Sequence, residues 1–326
     1  SERWPLDENK PVIELIDVYK SFGANQVIKG LNLSIVPGKT TVIVGRSGSG
    51  KSVLLKLMMG LLRPDEGKVI LFGHDISTLP GFELLNVRKR MSMMFQNYAL
   101  LDSLSVEDNI GFTLLENTDM QREDVIELAR ELIEVLGLKG FASSLPSELS
   151  GGMRKRVSLA RALIANPEVV LFDEPTTGLD PIMIEKVDEM ILFAKKNYQI
   201  TAAIISHDMA STQRLADRVA FLHDGQIISI GSLEEFQGSR LPPIRTFLDG
   251  AQTSRLAQVS GAEVEAADDK PTTIEEAPIV ELVELHKYFG SHHVLKGVNL
   301  RIPPGQITVL IGGSGSGKSV IVKHIM

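Results

Sequence analysis

Short apolar runs alternate with segments of helical periodicity along most of the chain. Runs rich in Val, Ile and Leu predict strands, and apolar residues spaced three and four apart predict helices. The predicted strands are Val12–Val18, Val27–Ile35, Thr41–Val44, Val69–Phe72, Val169–Phe172 and Ile200–Ile205, and the predicted helices are Val53–Leu62, Arg122–Leu136, Ser150–Ile164 and Ile182–Lys195. This alternation predicts an α/β fold whose mostly parallel sheet is covered on both faces.

A glycine-rich loop joins the predicted strand Thr41–Val44 to the helix that follows it, and its sequence fits G-x-x-x-x-G-K-[ST]. In such a loop the glycines let backbone N–H groups converge on phosphate oxygens, the lysine reaches the β- and γ-phosphates, and the final hydroxyl holds Mg²⁺. The motif requires a strand before it and a helix after it, and both are predicted here. The loop predicts a triphosphate site formed by Gly45, Arg46, Ser47, Gly48, Ser49, Gly50, Lys51 and Ser52.

The same loop occurs a second time at an offset of 267 residues, and the offset holds without a gap from Pro11 and Pro278 to Met59 and Met326. About half of the aligned positions are identical, which indicates a duplication rather than a chance match of two glycine-rich loops. The second loop consists of Gly312, Gly313, Ser314, Gly315, Ser316, Gly317, Lys318 and Ser319.

These patterns divide the chain into three parts. Residues 1–250 are expected to form a complete domain, and residues 278–326 the N-terminal fragment of a second one. Residues 251–277 between them are rich in Ala, Glu, Asp, Thr and Ser and predict a flexible acidic linker. Because the chain starts at Ser1 without methionine and stops soon after the second loop, we expect it to be a fragment of a longer protein.

Two carboxylates follow the apolar strand Val169–Phe172. The carboxyl ends of parallel strands are where α/β sheets bind ligands. Asp173 is expected to position Mg²⁺ together with Ser52, and Glu174 to polarise a water for attack on the γ-phosphate. An acidic turn between a strand and a helix, without chemistry, is the alternative.

A serine and two glycines open the predicted helix Ser150–Ile164. Ser150 suits a helix N-cap, and the free amides of Gly151 and Gly152, together with the helix dipole, suit an anion. Taken alone, the motif fits a simple helix cap equally well. With the phosphate loop upstream and the acidic strand downstream, however, the chain resembles the ATPase subunit of an ABC transporter.

The resemblance assigns roles to four further residues. It implies that Gln96 senses Mg²⁺ and the attacking water, that Asp180 touches an opposing subunit, and that His207 contacts the γ-phosphate. It also implies that Phe22 stacks on adenine, with Tyr19 as the weaker candidate. From the residues alone, a surface glutamine, a structural histidine and a core phenylalanine are the alternatives.

The resemblance also implies a fold, ligands and partners. The fold would be a P-loop NTPase of ABC type, with a RecA-like parallel-sheet core, an N-terminal antiparallel β subdomain and a helical subdomain. The ligands would be ATP and Mg²⁺. The partners would be a second ABC ATPase domain, with sites shared across the interface, and a transmembrane permease that holds the chain peripherally at the cytoplasmic side of the inner membrane. Segment Asn97–Ile110, with exposed-looking Tyr98, Leu100, Leu101 and Leu104, either lies beside the permease groove or packs into its own domain.

Three features indicate a subfamily within the ABC ATPases. Met153 stands where many ABC ATPases carry Gln, residues 45–60 read GRSGSGKSVLLKLMMG, and residues 231–250 form a distinctive tail. All three resemble the Mla/Ttg2-type ATPases, which energise phospholipid or hydrophobic-solute traffic in cell envelopes of Gram-negative type. The second unit on one chain departs from this pattern. A tandem importer ATPase for sugars or amino acids, and a soluble tandem ABC protein acting on ribosomes or DNA, are the alternatives.

Composition removes some function classes. The net charge of −7 and the pI of about 5.6 give no basic stripe for nucleic acid, and the acidic predicted linker is poor in Lys and Arg. The absence of cysteine excludes disulfides and thiolate metal sites.

Overall fold

The computed structural model describes residues 10–179, 181–259, 277–289, 292–310 and 317–325. It divides the chain into two compact units, Ser1–Leu256 and Ala257–Met326. None of the described helices is long and apolar enough to cross a membrane.

The first unit contains each of the strands and helices that the sequence predicts, together with others. Its strands are β1 (Ile13–Phe22), β2 (Asn25–Ile35), β3 (Thr40–Val44), β4 (Glu66–Leu71), β5 (His74–Asp75), β6 (Met91–Met94), β7 (Val169–Asp173), β8 (Thr201–Ile205), β9 (Arg218–His223) and β10 (Gln226–Gly231). Its helices are α1 (Lys51–Met58), α2 (Gly81–Arg88), α3 (Val106–Asn117), α4 (Arg122–Val135), α5 (Gly151–Leu163), α6 (Pro181–Tyr198), α7 (Met209–Leu215), α8 (Leu233–Gly238) and α9 (Pro242–Val259), and a 3₁₀ turn spans Pro146–Glu148.

A six-stranded sheet of order β10-β9-β3-β8-β7-β6 forms the centre of the unit. The pairs from β9 through β6 are parallel, and only β10 runs antiparallel to its neighbour. Alternate residues of β7 enter two different hydrophobic clusters: Val170 and Phe172 enter one, and Val169 and Leu171 the other. The sheet is therefore covered on both faces, which confirms the parallel core.

A second sheet, of order β2-β1-β4-β5, is antiparallel throughout. Its inner residues, among them Ile13, Leu31 and Val69, are fully buried and join the hydrophobic cluster on one face of the central sheet. This sheet is the predicted N-terminal antiparallel subdomain.

Helices α3, α4 and α5 pack against one another and form the predicted helical subdomain. Helix α4 buries Val125, Ala129, Leu132 and Ile133, a spacing that places all four on one face. The chain before α3 is fixed by Asn109, whose fully buried amide accepts from Leu101 N and donates to three backbone carbonyls.

The segment Asn97–Ile110 is less exposed than its sequence suggests. Leu101 is exposed, but Tyr98, Leu100 and Leu104 are half-buried, and Leu100 packs against the core. The expectation of four exposed side chains is therefore wrong for three of them, because α5 binds the backbone at Tyr98, Leu100 packs on the core and the Asn109 amide holds the backbone at Leu104.

The second unit repeats the start of the first. Strands β11 (Val280–Phe289) and β12 (His292–Ile302) pair antiparallel, and helix α10 (Lys318–Ile325) follows. Each of these elements lies exactly where an offset of 267 places β1, β2 and α1. The duplication seen in the sequence is thus also a duplication of local structure.

The boundary between the units differs from the linker expectation in one respect. Helix α9 continues to Val259, so residues 251–259, which we assigned to a flexible linker, are helical. Gly250 lies inside this helix, although glycine is about 1 kcal/mol less favourable than alanine in a helix interior. Residues 260–276 of the predicted linker lie outside the described part of the chain.

Candidate functional site

The predicted site residues follow four neighbouring parallel strands. In the order β3-β8-β7-β6, these strands are followed by Gly45, His207, Glu174 and Gln96. Asp173 pairs with Ile205, which also pairs with Ile43, so the three strand ends are level with one another. The sheet topology thus brings to one edge residues that are far apart in sequence, as expected at the carboxyl end of a parallel sheet.

The phosphate loop depends on glycine at its two ends. A Cβ at Gly45 would lie 2.4 Å from the carbonyl oxygen of Leu222. Gly50 has φ of 101°, and a Cβ there would meet Val27 and Ile28 of strand β2 at 3.1 Å. Both glycines are required: Gly45 by its close approach to β9, and Gly50 by its left-handed backbone and its contact with β2.

Lys51 starts α1 and folds over the loop that precedes it. Its Nζ atom donates to the carbonyl oxygens of Gly45 and Arg46, each at 3.0 Å, and the residue is buried. Burial lowers the pKa of Lys51, while the negative charges of Glu174 and Asp173 act in the opposite direction. The lysine therefore lies between the loop and the acidic strand, where a phosphate group would meet both.

Asp173 is the metal candidate of the site. Its pKa is raised, first by burial and then by the neighbouring Glu174, while Lys51 and Lys56 lower it. Hydroxyl, carboxylate and amide oxygens from Ser52, Asp173 and Gln96 are hard ligands of the kind Mg²⁺ takes. Within the described residues no three His, Cys, Asp or Glu side chains are grouped to hold a metal.

The phosphate loop itself offers a hydroxyl donor for a bound phosphate group. Among the described residues, the buried hydroxyl of Ser49 has no hydrogen-bond partner. A buried hydroxyl without a partner is costly unless a ligand or water satisfies it. Its position inside the phosphate loop fits a phosphate oxygen.

Glu174 is contacted by three polar side chains. Gln96 Nε2 donates to its Oε2 at 3.4 Å, Thr177 Oγ1 donates to the same oxygen at 2.9 Å, and His207 Nδ1 lies 3.7 Å from its Oε1. The structure therefore brings together the predicted residues Gln96, Glu174 and His207, beside Lys51. A carboxylate oriented by several groups at the open edge of a sheet is suited to hold a water molecule.

The backbone of Glu174 is also unusual. Its φ is 46°, in the left-handed region that side chains other than glycine rarely adopt. The conformation is held by the Glu174 amide, which donates to Ile205 O at 3.1 Å, and by the amide of Thr177, which donates to Glu174 O at 3.2 Å. Such strain is typical of functional sites, where the surrounding contacts fix it.

The serine–glycine loop caps helix α5. Ser150 is the N-cap, and its hydroxyl accepts from the amide of Met153 at 3.3 Å. Ser150 is exposed, whereas Gly152 is buried, and a Cβ there would lie 2.1 Å from Met183 Cε. The structure is thus compatible with both interpretations of the motif, a simple helix cap and an anion site. Ser150 caps helix α5, and the same residue is exposed to solvent.

Phe22 ends strand β1, opposite Asn25 in the β1–β2 hairpin, and is half exposed, with the Lys20 ammonium 5.8 Å from its ring centroid. Tyr19 is less available, because its hydroxyl packs over Gly30. Since β2 also contacts Gly50, this hairpin lies beside the phosphate loop. The geometry favours Phe22 over Tyr19 as an aromatic platform.

Several predicted residues lie outside the described part of the chain: Asp180, Gly312, Gly313, Ser314, Gly315 and Ser316. The rest of the second loop is described. Gly317 has φ of 91°, and a Cβ there would meet Leu295 at 2.7 Å, which repeats the contact of Gly50 with Ile28. Lys318 and Ser319 then begin α10, as Lys51 and Ser52 begin α1.

Two residues at the site were not singled out from the sequence. Thr177, which orients Glu174, has no signal beyond its place three residues downstream. Lys155 is the middle residue of the basic run 154–156, and it is only 1% exposed. A lysine two turns before the end of its helix carries no sequence signal for burial.

Comparison with known proteins places these features in a family. The family model described as "ABC transporter" matches residues 28–177 and again residues 295–326. The second match starts one repeat offset of 267 after the first.

Three similar proteins have names that refer to transport or to a lipid. The protein TRIGALACTOSYLDIACYLGLYCEROL 3, chloroplastic, of Arabidopsis thaliana is 40% identical over 266 residues, which cover 77% of each chain. The intermembrane phospholipid transport system ATP-binding protein MlaF of Haemophilus influenzae is 37% identical over 242 residues, covering 74% of this chain and 92% of that one. The probable ribonucleotide transport ATP-binding protein mkl of Mycobacterium leprae is 34% identical over 300 residues, covering 92% and 82%.

A solved structure has the same fold. The ATP-binding cassette MJ0796, described as a dimer in a post-hydrolysis state with ADP and phosphate, superposes with a TM-score of 0.62 at 30% sequence identity. The match covers 68% of this chain and 98% of that one.

Proposed function

Because this chain belongs to the ABC transporter family and is one of its ATPases, we propose that it powers a membrane transporter for phospholipid or another hydrophobic solute. The observation that carries the ATPase part is the cluster of Gln96, Thr177 and His207 around the Glu174 carboxylate, opposite Lys51.

Each group of residues has its own role in the hydrolysis of ATP. Amides of the loop 45–52 and the Lys51 ammonium bind the β- and γ-phosphates and hold the triphosphate in line. Glu174 accepts a proton from the attacking water, while Gln96 and His207 orient the carboxylate from either side. Mg²⁺, held by Ser52, Asp173 and Gln96, would neutralise charge that develops on the phosphate oxygens.

The proposal includes a dimer of ATPase domains. Ser150 is exposed at the start of α5, and helix N-termini bind anions. In a dimer, Ser150, Gly151 and Gly152 of one domain would contact the γ-phosphate held by the loop of the other, with Asp180 at the contact. ATP would then hold the domains together, and its hydrolysis would release them. The dimeric form described for MJ0796 supports this arrangement.

The lipid part of the proposal is supported by the relatives. One is named as a phospholipid transport ATP-binding protein and another after a galactolipid, and each matches about three quarters of the chain. The chain would bind a separate permease at the cytoplasmic face of a membrane. Ribonucleotide transport is the second candidate, favoured by the name of the mycobacterial relative, whose match extends over more of the chain.

The test is to isolate the chain with its membrane partner and to reconstitute the complex in vesicles. The Glu174→Gln variant, tagged and loaded with ATP, is used to capture the permease from solubilised membranes. Wild-type complex should then move labelled phospholipid in an ATP-dependent manner. ATP-dependent movement of ribonucleotides, sugars or amino acids instead, with no movement of phospholipid, would contradict the lipid assignment and leave the ATPase assignment intact.

A further inference from the structure

Lys155 is a buried cation that the chemistry above does not use. It lies in the second turn of α5 and is only 1% exposed. A buried ammonium is unfavourable unless hydrogen bonds replace its hydration. The structure shows which groups provide that replacement.

The hydrogen bonds of Lys155 are made to the turn that follows the hydrolytic carboxylate. Its Nζ atom donates to the carbonyl oxygen of Pro175, directly after Glu174, and lies 3.4 Å from that of Thr177. Thr177 in turn donates through its hydroxyl to Glu174 Oε2 at 2.9 Å. Lys155 is therefore linked to the carboxylate through a single residue.

The same lysine faces the segment that follows Gln96. Its Nζ atom lies 5.9 Å from the centroid of the Tyr98 ring, within the range of a cation–π contact. Helix α5 also binds this segment further along, where Ser158 Oγ donates to Tyr98 O at 3.1 Å and Arg161 donates to the carbonyl oxygens of Tyr98 and Ala99. Tyr98 and Ala99 have φ of 62° and 48°, so α5 holds a second strained turn besides that of Glu174.

We propose that Lys155 is a positioning residue for ATP hydrolysis. It fixes the turn 174–177 to α5, the helix whose first turn begins at Ser150, so that contact at the Ser150 loop and the alignment of Glu174 are mechanically coupled. Lys155 acts through the backbone of Pro175 and through Thr177, whose hydroxyl donates to Glu174. This inference rests on the ATPase function proposed above.

The test compares two substitutions of Lys155 in the full chain. Lys155→Met keeps the length of the side chain and removes its donors, whereas Lys155→Gln keeps an N–H donor. We expect Lys155→Met to lower kcat by about tenfold or more, because a small misplacement of a catalytic group is costly, with ATP affinity within about twofold of wild type. Lys155→Gln should recover part of the lost kcat, since its amide still donates to the turn.

Arg156 provides a matched control on the same helix. Its Nη1 atom donates to the carbonyl oxygens of Leu136 and Gly137 at 3.1 and 3.0 Å, so it also connects α5 to backbone carbonyls, but at the end of α4. Arg156→Met should lower the melting temperature and leave kcat unchanged. A Lys155→Met variant that retains wild-type kcat, or that loses kcat and ATP affinity in parallel, would overturn the proposal.

Two further measurements keep the outcome decisive. If Lys155→Met does not fold, Lys155→Gln decides alone: a fall in kcat with unchanged ATP affinity supports the proposal, and an unchanged kcat overturns it. Wild type and Glu174→Gln are assayed in parallel. Hydrolysis by wild type that is lost in Glu174→Gln shows that the ATPase function stands whatever the result at Lys155.

Discussion

His207 Nδ1 lies 3.7 Å from Glu174 Oε1, although the two residues follow different strands and are separated by a whole helix. The pairing of β7 with β8 sets this distance, because Glu174 follows the paired residue Asp173 directly and His207 lies two residues after its partner Ile205. The strand pairing thus places the His207 imidazole beside Oε1 of Glu174. The other carboxylate oxygen, Oε2, accepts hydrogen bonds from Thr177 and Gln96.

Replacing Glu174 by glutamine is expected to abolish turnover while ATP still binds and joins two domains. The amide keeps the shape of the side chain but cannot accept the proton of water, which costs about 10²- to 10⁴-fold in rate. Phosphate release and ATP-dependent dimerisation, measured by light scattering, check this. Turnover at the wild-type rate in this variant would refute the role of Glu174.

Lys51→Ala should weaken ATP binding by about 10- to 100-fold, the range for losing a charged hydrogen-bond donor. Titration calorimetry with ATP gives the affinity. Lys56→Ala is the matched control, because Lys56 is an exposed lysine one turn further along α1. Equal losses in the two variants would mean that a general loss of positive charge, and not the position of Lys51, explains the effect.

Phe22→Ala should weaken ATP binding by the loss of a base-stacking contact, about 1–3 kcal/mol. Tyr19→Leu should leave the affinity near that of wild type, since Tyr19 packs against its own hairpin over Gly30. Fluorescent ATP analogues report both affinities. The reverse pattern would assign the adenine contact to Tyr19.

Gly45→Ala should destabilise the first unit by about 1–3 kcal/mol, because the added Cβ would lie 2.4 Å from Leu222 O and force the backbone apart. Gly81→Ala is the control, since a Cβ at that position on α2 meets no atom within 4 Å. Chemical denaturation of both variants gives the free energies of unfolding. Equal stability of the two variants would show that the approach of β9 to the loop is looser than the geometry indicates.

The pH dependence of Mg²⁺ activation should depend on Asp173. Burial and Glu174 raise the pKa of Asp173, so its proton competes with Mg²⁺ at higher pH than at an ordinary aspartate. As the pH falls, the Mg²⁺ concentration that half-saturates ATPase activity should therefore rise, and it should rise at a higher pH in Lys56→Ala, which removes a charge that lowers this pKa. Mg²⁺ titrations of the ATPase rate between pH 5 and 8 test this. Identical curves for the two proteins would contradict it.

Much of the fold follows from the sequence because its strongest signals are local. The apolar runs and helical periodicities predict ten elements of the first unit, and all ten are present with ends shifted by a few residues. Strand β6 was not predicted: its sequence, Met91-Ser92-Met93-Met94, has little β propensity, and it is a strand because it pairs with β7. Strands β9 and β10 have a recognisable signal in the intervening Asp224-Gly225, a dipeptide typical of hairpins.

The site residues that belong to a sequence motif could be predicted. Those whose role depends on tertiary contacts could not. The grouping of Gln96, Glu174 and His207 was expected from resemblance, and the sheet order explains it. The burial of Lys155 and the hydroxyl contact of Thr177 depend on how α5 packs against the turn 174–177, which no local pattern encodes. Likewise, the partial burial of Tyr98 arises from bonds to Ser158 and Arg161, some 60 residues away in sequence.

The level pairing of β7 with β8 has a consequence for how this protein tolerates change. Side chains on a strand point to alternate faces, so a slip of one residue between these strands would turn Glu174 away from His207 and direct its neighbour there instead. Val170, Leu171 and Ala203, which touch no ligand, therefore determine by their fit which acid faces the imidazole. Substitutions at these interior positions should therefore lower the rate of ATP hydrolysis before they are severe enough to unfold the protein.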